Sequence, residues 1–597
     1  MNKKIFLTLS LLSAAAVGGS LFVAMEPLST QASTDVRPAL QAGGEAPQGQ
    51  QSMSLLPGGT SLAGSYLSSR FAQHHHDWKN SSLFIGRVLE EAPGDLTLTK
   101  RAMVLSMGAG EFDRAVSLAD QVLKADEHSP LASLFATINA FKDKDYQKAA
   151  HLVDSIPDDG LSKFVMPLLH SWSQAGIGKH DTEALKGNTV HIYHAILIAD
   201  FLGEHSHIES LLSKAANADE VSIADLERIA DIYGHIGRKD TALKLYKEIV
   251  AAGQDSDALQ TKIRALETDE PAKLFETVSS PEAGVAEALY DTARILYGDY
   301  SDESARIFAY MALTLNPSLT ESQLLLAYIA ARNERYEEAI THYRAVPAGD
   351  DHFLEARRQL AELLEKTEQA DEAVRTLRAL ADAYHDADSL IQIGDIYRRT
   401  KDFKQAVVAY DEAAASFKKG VVPPEYWHLY YVRGMAYEQL GQWPKAEADL
   451  KEALVLEPDH PFVLNYLGYA WADQGVNLKE SLEMIRKAAA LQPSDGYIAD
   501  SLGWVLYRMS RYDQAVPHLE KAVELMPYDP VINDHLGDAY WRVGRKLEAR
   551  FQWQRAKNHI GEDDPIDAET IDAKLARGLD ESPVVKEART QAAITAD

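Results

Sequence analysis

The sequence predicts an all-α fold, an α-α superhelix of about 12–14 helix-turn-helix repeats, and three observations carry that prediction. Gly434, Gly468, Gly503 and Gly537 stand 34, 35 and 34 residues apart. Other positions keep the same step: Pro458, Pro493 and Pro527; Ala446, Ser481, Ala515 and Ala549; and, upstream, Ala305, Ala339 and Ala373. Finally, 597 residues far exceed the roughly 250–300 at which a single core stops growing, so the chain is multidomain or a repeat array. A period near 34 is that of helical hairpins stacked in one dimension.

Taken in order, residues 1–32 read as a signal peptide. Lys3 and Lys4 precede an apolar run from Ile5 to Met25, and small residues at Thr30 and Ala32 suit cleavage after Ala32. Gly18, Gly19 and Ser20 weaken the run as a lasting membrane anchor, so a cleaved leader is favoured. Either form exports the chain to the periplasm or cell envelope, with the Lys-bearing flank left inside. Residues 33–60, rich in Gly, Pro and Gln, read as a flexible linker. Repeats follow over 61–157, then degenerate helical repeats over 158–285, as in "HIYHAILIADFLGEH", then well-marked repeats over 286–560. A capping helix is expected in 561–580, with Ile571 and Leu575 turned toward the last repeat, and a disordered tail over 581–597.

Each position of the repeat has a packing reason. Gly434, Gly468, Gly503 and Gly537 lie on the first helix, where the missing side chain lets a neighbouring helix approach. Three residues on, Tyr437, Trp471, Leu506 and Tyr540 share that face and fill the space between layers. A polar turn follows, and Ala446, Ala515 and Ala549 again permit close approach on the second helix. Pro458, Pro493 and Pro527 end it, because proline cannot continue a helix. This Gly–aromatic–Ala–Pro pattern resembles the tetratricopeptide repeat family over most of residues 62–560, most strongly from about 427 onward. The segments "DGYIADSLGWVLYR", "INDHLGDAYWRVGRKLEARFQWQRA" and "KLARGL" resemble the C-terminal part of a proteobacterial cell-envelope group of that family. Members of the group include outer-membrane lipoproteins that act as adaptors for carboxyl-terminal processing proteases. That resemblance implies an adaptor for an envelope protease or for cell-wall hydrolases. The alternative is a scaffold in an exopolysaccharide or envelope-assembly secretion complex. The chain has no cysteine to carry a lipid, so membrane association is expected only through the N-terminal segment or a partner.

Composition narrows the chemistry. With 89 acidic against 60 basic residues the net charge is −29, which argues against nucleic acid as a partner. Zero cysteines remove disulfides, thiolate zinc sites and cysteine nucleophiles. No phosphate-binding loop, dinucleotide fingerprint, HExxH or GxSxG motif occurs, so no enzyme, cofactor or metal site is expected. The run His74–His76 does not change this, since successive helical positions point in different directions. The working part is therefore surface. The family resemblance places a concave groove on the first helices, lined by Tyr431, Asn465, Tyr469, Asp473, Tyr497, Asp500, Trp504, Tyr507, Arg508, Asp534, Asp538 and Trp541, with His428, Glu438 and Arg542 beside them. Aromatic rings among carboxylates suit a protein or peptide partner, the acids selecting basic side chains.

Overall fold

The computed structural model describes residues 61–157, 160–185, 188–204, 208–212, 223–254, 257–268, 277–561 and 564–580. The expected leader, linker and tail lie outside the described residues. Among the described residues every regular element is helical. The chain forms two compact units, one through Thr367 and one from Glu368.

In the second unit the helix Ala370–Tyr384 is followed by hairpins Ala387–Arg399/Phe403–Ser416, Trp427–Gln439/Trp443–Leu456, Pro461–Gln474/Leu478–Leu491, Gly496–Arg508/Tyr512–Leu525 and Pro530–Arg542/Lys546–His559, then a final helix Ala568–Arg577. Asp495 and Asp529 start their helices by accepting the backbone N–H of Ile498 and Ile532 at 2.9 and 3.0 Å, which satisfies donors the helix leaves open. The packing reason for the glycines is direct. A Cβ on Gly503 would stand 2.4 Å from Leu519 Cγ, and one on Gly537 would stand 2.5 Å from the Trp553 ring. Gly434 and Gly468 are likewise buried, as are Ala446, Ala515, Ala549, Tyr437, Trp471 and Tyr540. Pro458, Pro493 and Pro527 follow the last helical turns and are exposed or half-buried, so they act as stops rather than core fillers.

The turns carry a periodic feature of their own. A residue in the left-handed region recurs at Lys401, Gly441, Gly475, Ser510 and Gly544, and likewise at His76, Gly110, Lys144, Tyr300 and Glu334 in the first unit. A left-handed residue just past a helix reverses the chain within a few residues and lets the last carbonyls bond back. The structure needs it whether or not glycine supplies it.

The first unit departs from simple stacking. Its helices include Leu62–His74/Trp78–Glu91, Leu96–Gly108/Phe112–Ala125, Pro130–Lys142/Tyr146–Asp154, Ser162–Gly176, Thr189–Phe201, Ile223–His235/Lys239–Ala251 and Pro281–Gly298/Asp302–Leu315. In a one-dimensional array each repeat meets only its neighbours. Here the hairpin Pro281–Leu315 packs not only on the following helix Thr320–Arg332 but also on Leu96–Gly108, Pro130–Lys142, Ser162–Gly176 and Thr189–Phe201. Its first helix buries Gly284, Val285, Ala286, Ala288, Leu289 and Ala293 among these partners. At Gly284 a Cβ would meet the Trp172 ring at 2.3 Å, so only glycine admits that indole.

Polar ties hold the fold-back. Tyr146 donates its hydroxyl to Glu282 at 2.7 Å, and Arg306 donates Nε to the Gly108 carbonyl at 2.5 Å. Deeper in, Trp172 donates Nε1 to His194 Nδ1 at 3.1 Å. Indole nitrogen is only a donor, so His194 carries its proton on Nε2 and gives it to Asp291 Oδ2 at 3.2 Å. Arg228 donates to Asp291 Oδ1 at 2.7 Å and its guanidinium lies 4.0 Å from the centre of the Tyr193 ring. Burial pushes the Asp291 carboxyl up, but Arg228 and His194 outweigh it and hold the group well below the usual carboxylate range.

Candidate functional site: the first-helix face of the second unit

The repeat period brings aromatic side chains into register across successive first helices. Tyr431 meets Tyr466 edge-on with ring centres 5.7 Å apart, and Tyr466 gives its hydroxyl to Glu438. One repeat further, Trp504 is the middle ring of a stack, 3.9 Å from His535 at 13° and 4.9 Å from Tyr507 at 7°. The Arg508 guanidinium lies 5.8 Å from the Trp504 ring and its Nη1 donates to the Asp473 carbonyl at 2.6 Å. Arg542 Nε donates to the Tyr507 hydroxyl at 3.3 Å. Tyr469 is half-buried, and burial, with Asp500 and Asp473 nearby, raises its phenol well above the ordinary value. His428 is half-buried with its ring 5.7 Å from Tyr426. Asp473 is exposed, and Tyr497 is 55% exposed. Trp541 is half-buried, 5.3 Å from Trp553.

Three acids stand elsewhere than the sequence reading put them. Asp500, Asp534 and Asp538 are buried, not open to solvent, and each is engaged within the chain. Both oxygens of Asp500 lie 2.9–3.0 Å from His535 Nδ1, which must carry the proton. Lys574 on the final helix donates to both oxygens of Asp534 at 2.7 Å and to Asp538 at 3.0 Å, and Trp553 Nε1 donates to Asp538 at 2.9 Å. The physical reason is the cost of a buried unpaired charge, which draws partners from the next repeat and from the cap. Asn465 Oδ1 and Trp504 Nε1 are buried atoms with no hydrogen-bond partner among the described residues.

These groups give the last repeats a pH response. Burial, with Asp534 beside it, pushes the Asp538 carboxyl up to about 6 against the pull of Lys574. Burial pushes the His535 imidazole down, but Asp500, with Asp534 and Asp538, outweighs it, so its pKa is raised. A raised folded-state pKa stabilises fully below the unfolded value, and that contribution is lost as pH rises through the folded value. Asp538 therefore loses its contribution from about pH 4 to about 6, and His535 above about 6.5. Hydrogen exchange corrected for intrinsic rates should show residues 496–577 better protected at pH 6 than at pH 8. His535→Gln should flatten the difference; equal protection in the parent chain would refute the assignment.

His535, Lys574 and Tyr466 escaped the sequence reading, although the period contained a signal: His535 lies 35 residues after Asp500 and Tyr466 lies 35 after Tyr431. Lys574 gave none, since the cap stands outside the repeat. Of the His74–His76 run, His75 donates Nδ1 to the Phe71 carbonyl at 2.9 Å, and His76 occupies the left-handed turn position. An open cavity of about 430 Å³ in the first unit is lined by Glu111, Asp113, Arg114 and Lys142. Those charges pair among themselves, Lys142 with Asp113 at 2.9 Å and Arg114 with Glu111 at 3.2 Å.

Residues 316–568 match the tetratricopeptide repeat family. Over 195 residues the chain is 29% identical to the TPR repeat-containing protein PA4667 of Pseudomonas aeruginosa, a match covering 32% of this chain and about a third (32%) of that protein's length. Among solved structures, MamA from Desulfovibrio magneticus RS-1 (residues 41 to the end) is 22% identical, covers 29% of this chain and 95% of its own, and has a TM-score of 0.26. A second MamA crystal structure is 22% identical, covers 33% and 98%, and has a TM-score of 0.25. Tetratricopeptide arrays are typically non-catalytic scaffolds for protein–protein interaction.

Proposed function

We propose that the chain is an exported scaffold that holds a protein partner on the first-helix face of its second unit, with an extended or helical segment of the partner lying across Tyr431, Tyr469, Trp504 and Tyr507. The observation that supports it is the His535–Trp504–Tyr507 stack, an aromatic platform fixed before any partner arrives. Rings already held in place lose little freedom on binding, and Trp and Tyr dominate binding energy at protein interfaces. Because Asp500, Asp534 and Asp538 are engaged internally, contact area selects the partner more than charge does, with Asp473 left as the exposed acid of the set. Export rests on Lys3, Lys4 and the apolar run behind them, and the role of adaptor to an envelope protease or cell-wall hydrolase rests on the C-terminal resemblance.

A photo-crosslinking residue at the exposed Tyr497 position of the full chain, expressed in a proteobacterial envelope, tests this. A discrete protein adduct is expected, and Trp504→Ala should weaken capture at least about 30-fold, the loss of a hot spot of about 2 kcal/mol. An adduct indifferent to Trp504→Ala would refute the platform.

A further inference from the structure

We propose that the outward face of the helix Lys546–His559 is a second docking surface, shaped for an acidic amphipathic helix of a partner protein. It lies on the second helix of the last hairpin, so it stands apart from the aromatic platform and does not depend on it.

The case begins with two exposed apolar side chains. Leu547 is 69% exposed and Phe551 is 67% exposed, one helical turn apart on the same ridge. The repeat alignment shows how unusual this is. Two residues before the small residue of the second helix, the other hairpins of this unit carry Lys404, Pro444, Lys479 and Asp513, whereas the last carries Leu547. Two residues after it stand Val408, Ala448, Glu483 and Pro517, against Phe551. The last hairpin alone joins two large apolar residues there. The final helix does not cover them: it buries Ile571 in the core beside Trp553 and leaves both exposed.

Charge supplies the second argument. In a chain of net charge −29 this helix carries Lys546, Arg550, Arg555 and Lys557 against a single acid, Glu548. Arg545 pairs with Glu548 at 2.9 Å, and Lys557 pairs with Asp572 at 2.6 Å. Lys546 and Arg550 rest over the Trp541 ring, and Arg555 over Tyr528, none of the three with an ion pair among the described residues. Arg550 also occupies a position that is Val407, Glu447, Leu482 or Val516 in the other hairpins of this unit, so the basic side chain there is particular to the last one.

Together these features define one kind of occupant. Leu547 and Phe551 form an apolar ridge, and Lys546 and Arg550, also one turn apart, form a basic ridge beside it. An amphipathic helix meets both at once by setting apolar residues at matching spacing on the first and Asp or Glu on the second. Symmetric pairing of two copies through this face would oppose cation to cation. An anionic bilayer would face the −29 charge of the whole chain.

The test uses the full chain and a fluorescent helical peptide with a Leu/Phe stripe at every third and fourth position, flanked by Glu. Saturable binding is expected, at least about tenfold weaker for Leu547→Ser/Phe551→Ser and for Lys546→Glu/Arg550→Glu. These residues are exposed, so the melting profile of both variants should match the parent. A peptide with Lys in place of Glu should bind the Lys546→Glu/Arg550→Glu variant in preference to the parent. The proposal is overturned by equal binding of a scrambled peptide, by binding indifferent to the substitutions, by phosphatidylglycerol vesicles outcompeting the peptide at this face, or by concentration-dependent self-association abolished by Leu547→Ser.

Discussion

Asp291→Ala is expected to destabilise the first unit by about 3–5 kcal/mol, the range for breaking a buried ion pair from one side. Asp291 is fully buried and accepts from both His194 and Arg228. Removing it leaves Arg228 leaning on Glu287 at 3.2 Å and on the Tyr193 ring, and leaves His194 Nε2 without an acceptor. Since domains are stable by only about 5–15 kcal/mol, such a loss is visible in any denaturation curve. Hydrogen exchange should localise it: helices Thr189–Phe201 and Pro281–Gly298 lose protection first, because that carboxylate joins them. Asp291→Asn should fall between the two, keeping an acceptor but not the charge. A change below about 1 kcal/mol for Asp291→Ala would show that apolar packing around Gly284 and Trp172 alone holds the hairpin down.

The same hairpin ties together helices that lie far apart in the chain. It packs on the helices Leu96–Gly108, Pro130–Lys142 and Ser162–Gly176. The first unit is thus tied together across distant hairpins, and the second leaves the aromatic row of its first helices half-exposed. This division was not legible in the sequence. Periodicity reports what happens inside each hairpin and against the next, as where Gly503 and Gly537 must be small because Leu519 and Trp553, on the second helix of the same hairpin, press on them. It carries no record of Arg306 reaching the Gly108 carbonyl across 198 residues of chain.

The candidate site was legible in the same unequal way. Positions fixed by backbone geometry, such as the glycines and the buried alanines, follow from spacing alone. The side-chain chemistry does not, since Asp500 reads as an acid on a groove until His535 is seen on it. The left-handed turns fall between. Glycine marks them at 441, 475 and 544, whereas Ser510 and Lys401 adopt the same conformation with no compositional signal. There the tertiary fold sets the backbone and local propensity yields.

Trp553→Ala should cost about 3–5 kcal/mol, as expected for deleting a buried indole, and it should release the cap before the array. Trp553 is fully buried, presses on Gly537, lies 5.3 Å from Trp541 and donates to Asp538. Deleting it opens a cavity and takes a donor from a carboxyl that burial has already raised to about 6. Asp538 and Asp534 share Lys574, so weakening that cluster loosens the helix Ala568–Arg577 directly. Trp553→Phe weights the two contributions differently: it keeps a buried aromatic ring but loses the N–H along with part of the indole, and should cost about 1–3 kcal/mol. In a stacked array the damage stays with the nearest hairpins, so hydrogen exchange should show lost protection over 530–577 and near-parent protection over Trp427–Leu456. Uniform loss across the second unit would mean that its hairpins fold as one cooperative block. A cap that stayed protected in Trp553→Ala would mean that Ile571 and Leu575, not the Lys574 cluster, fasten it.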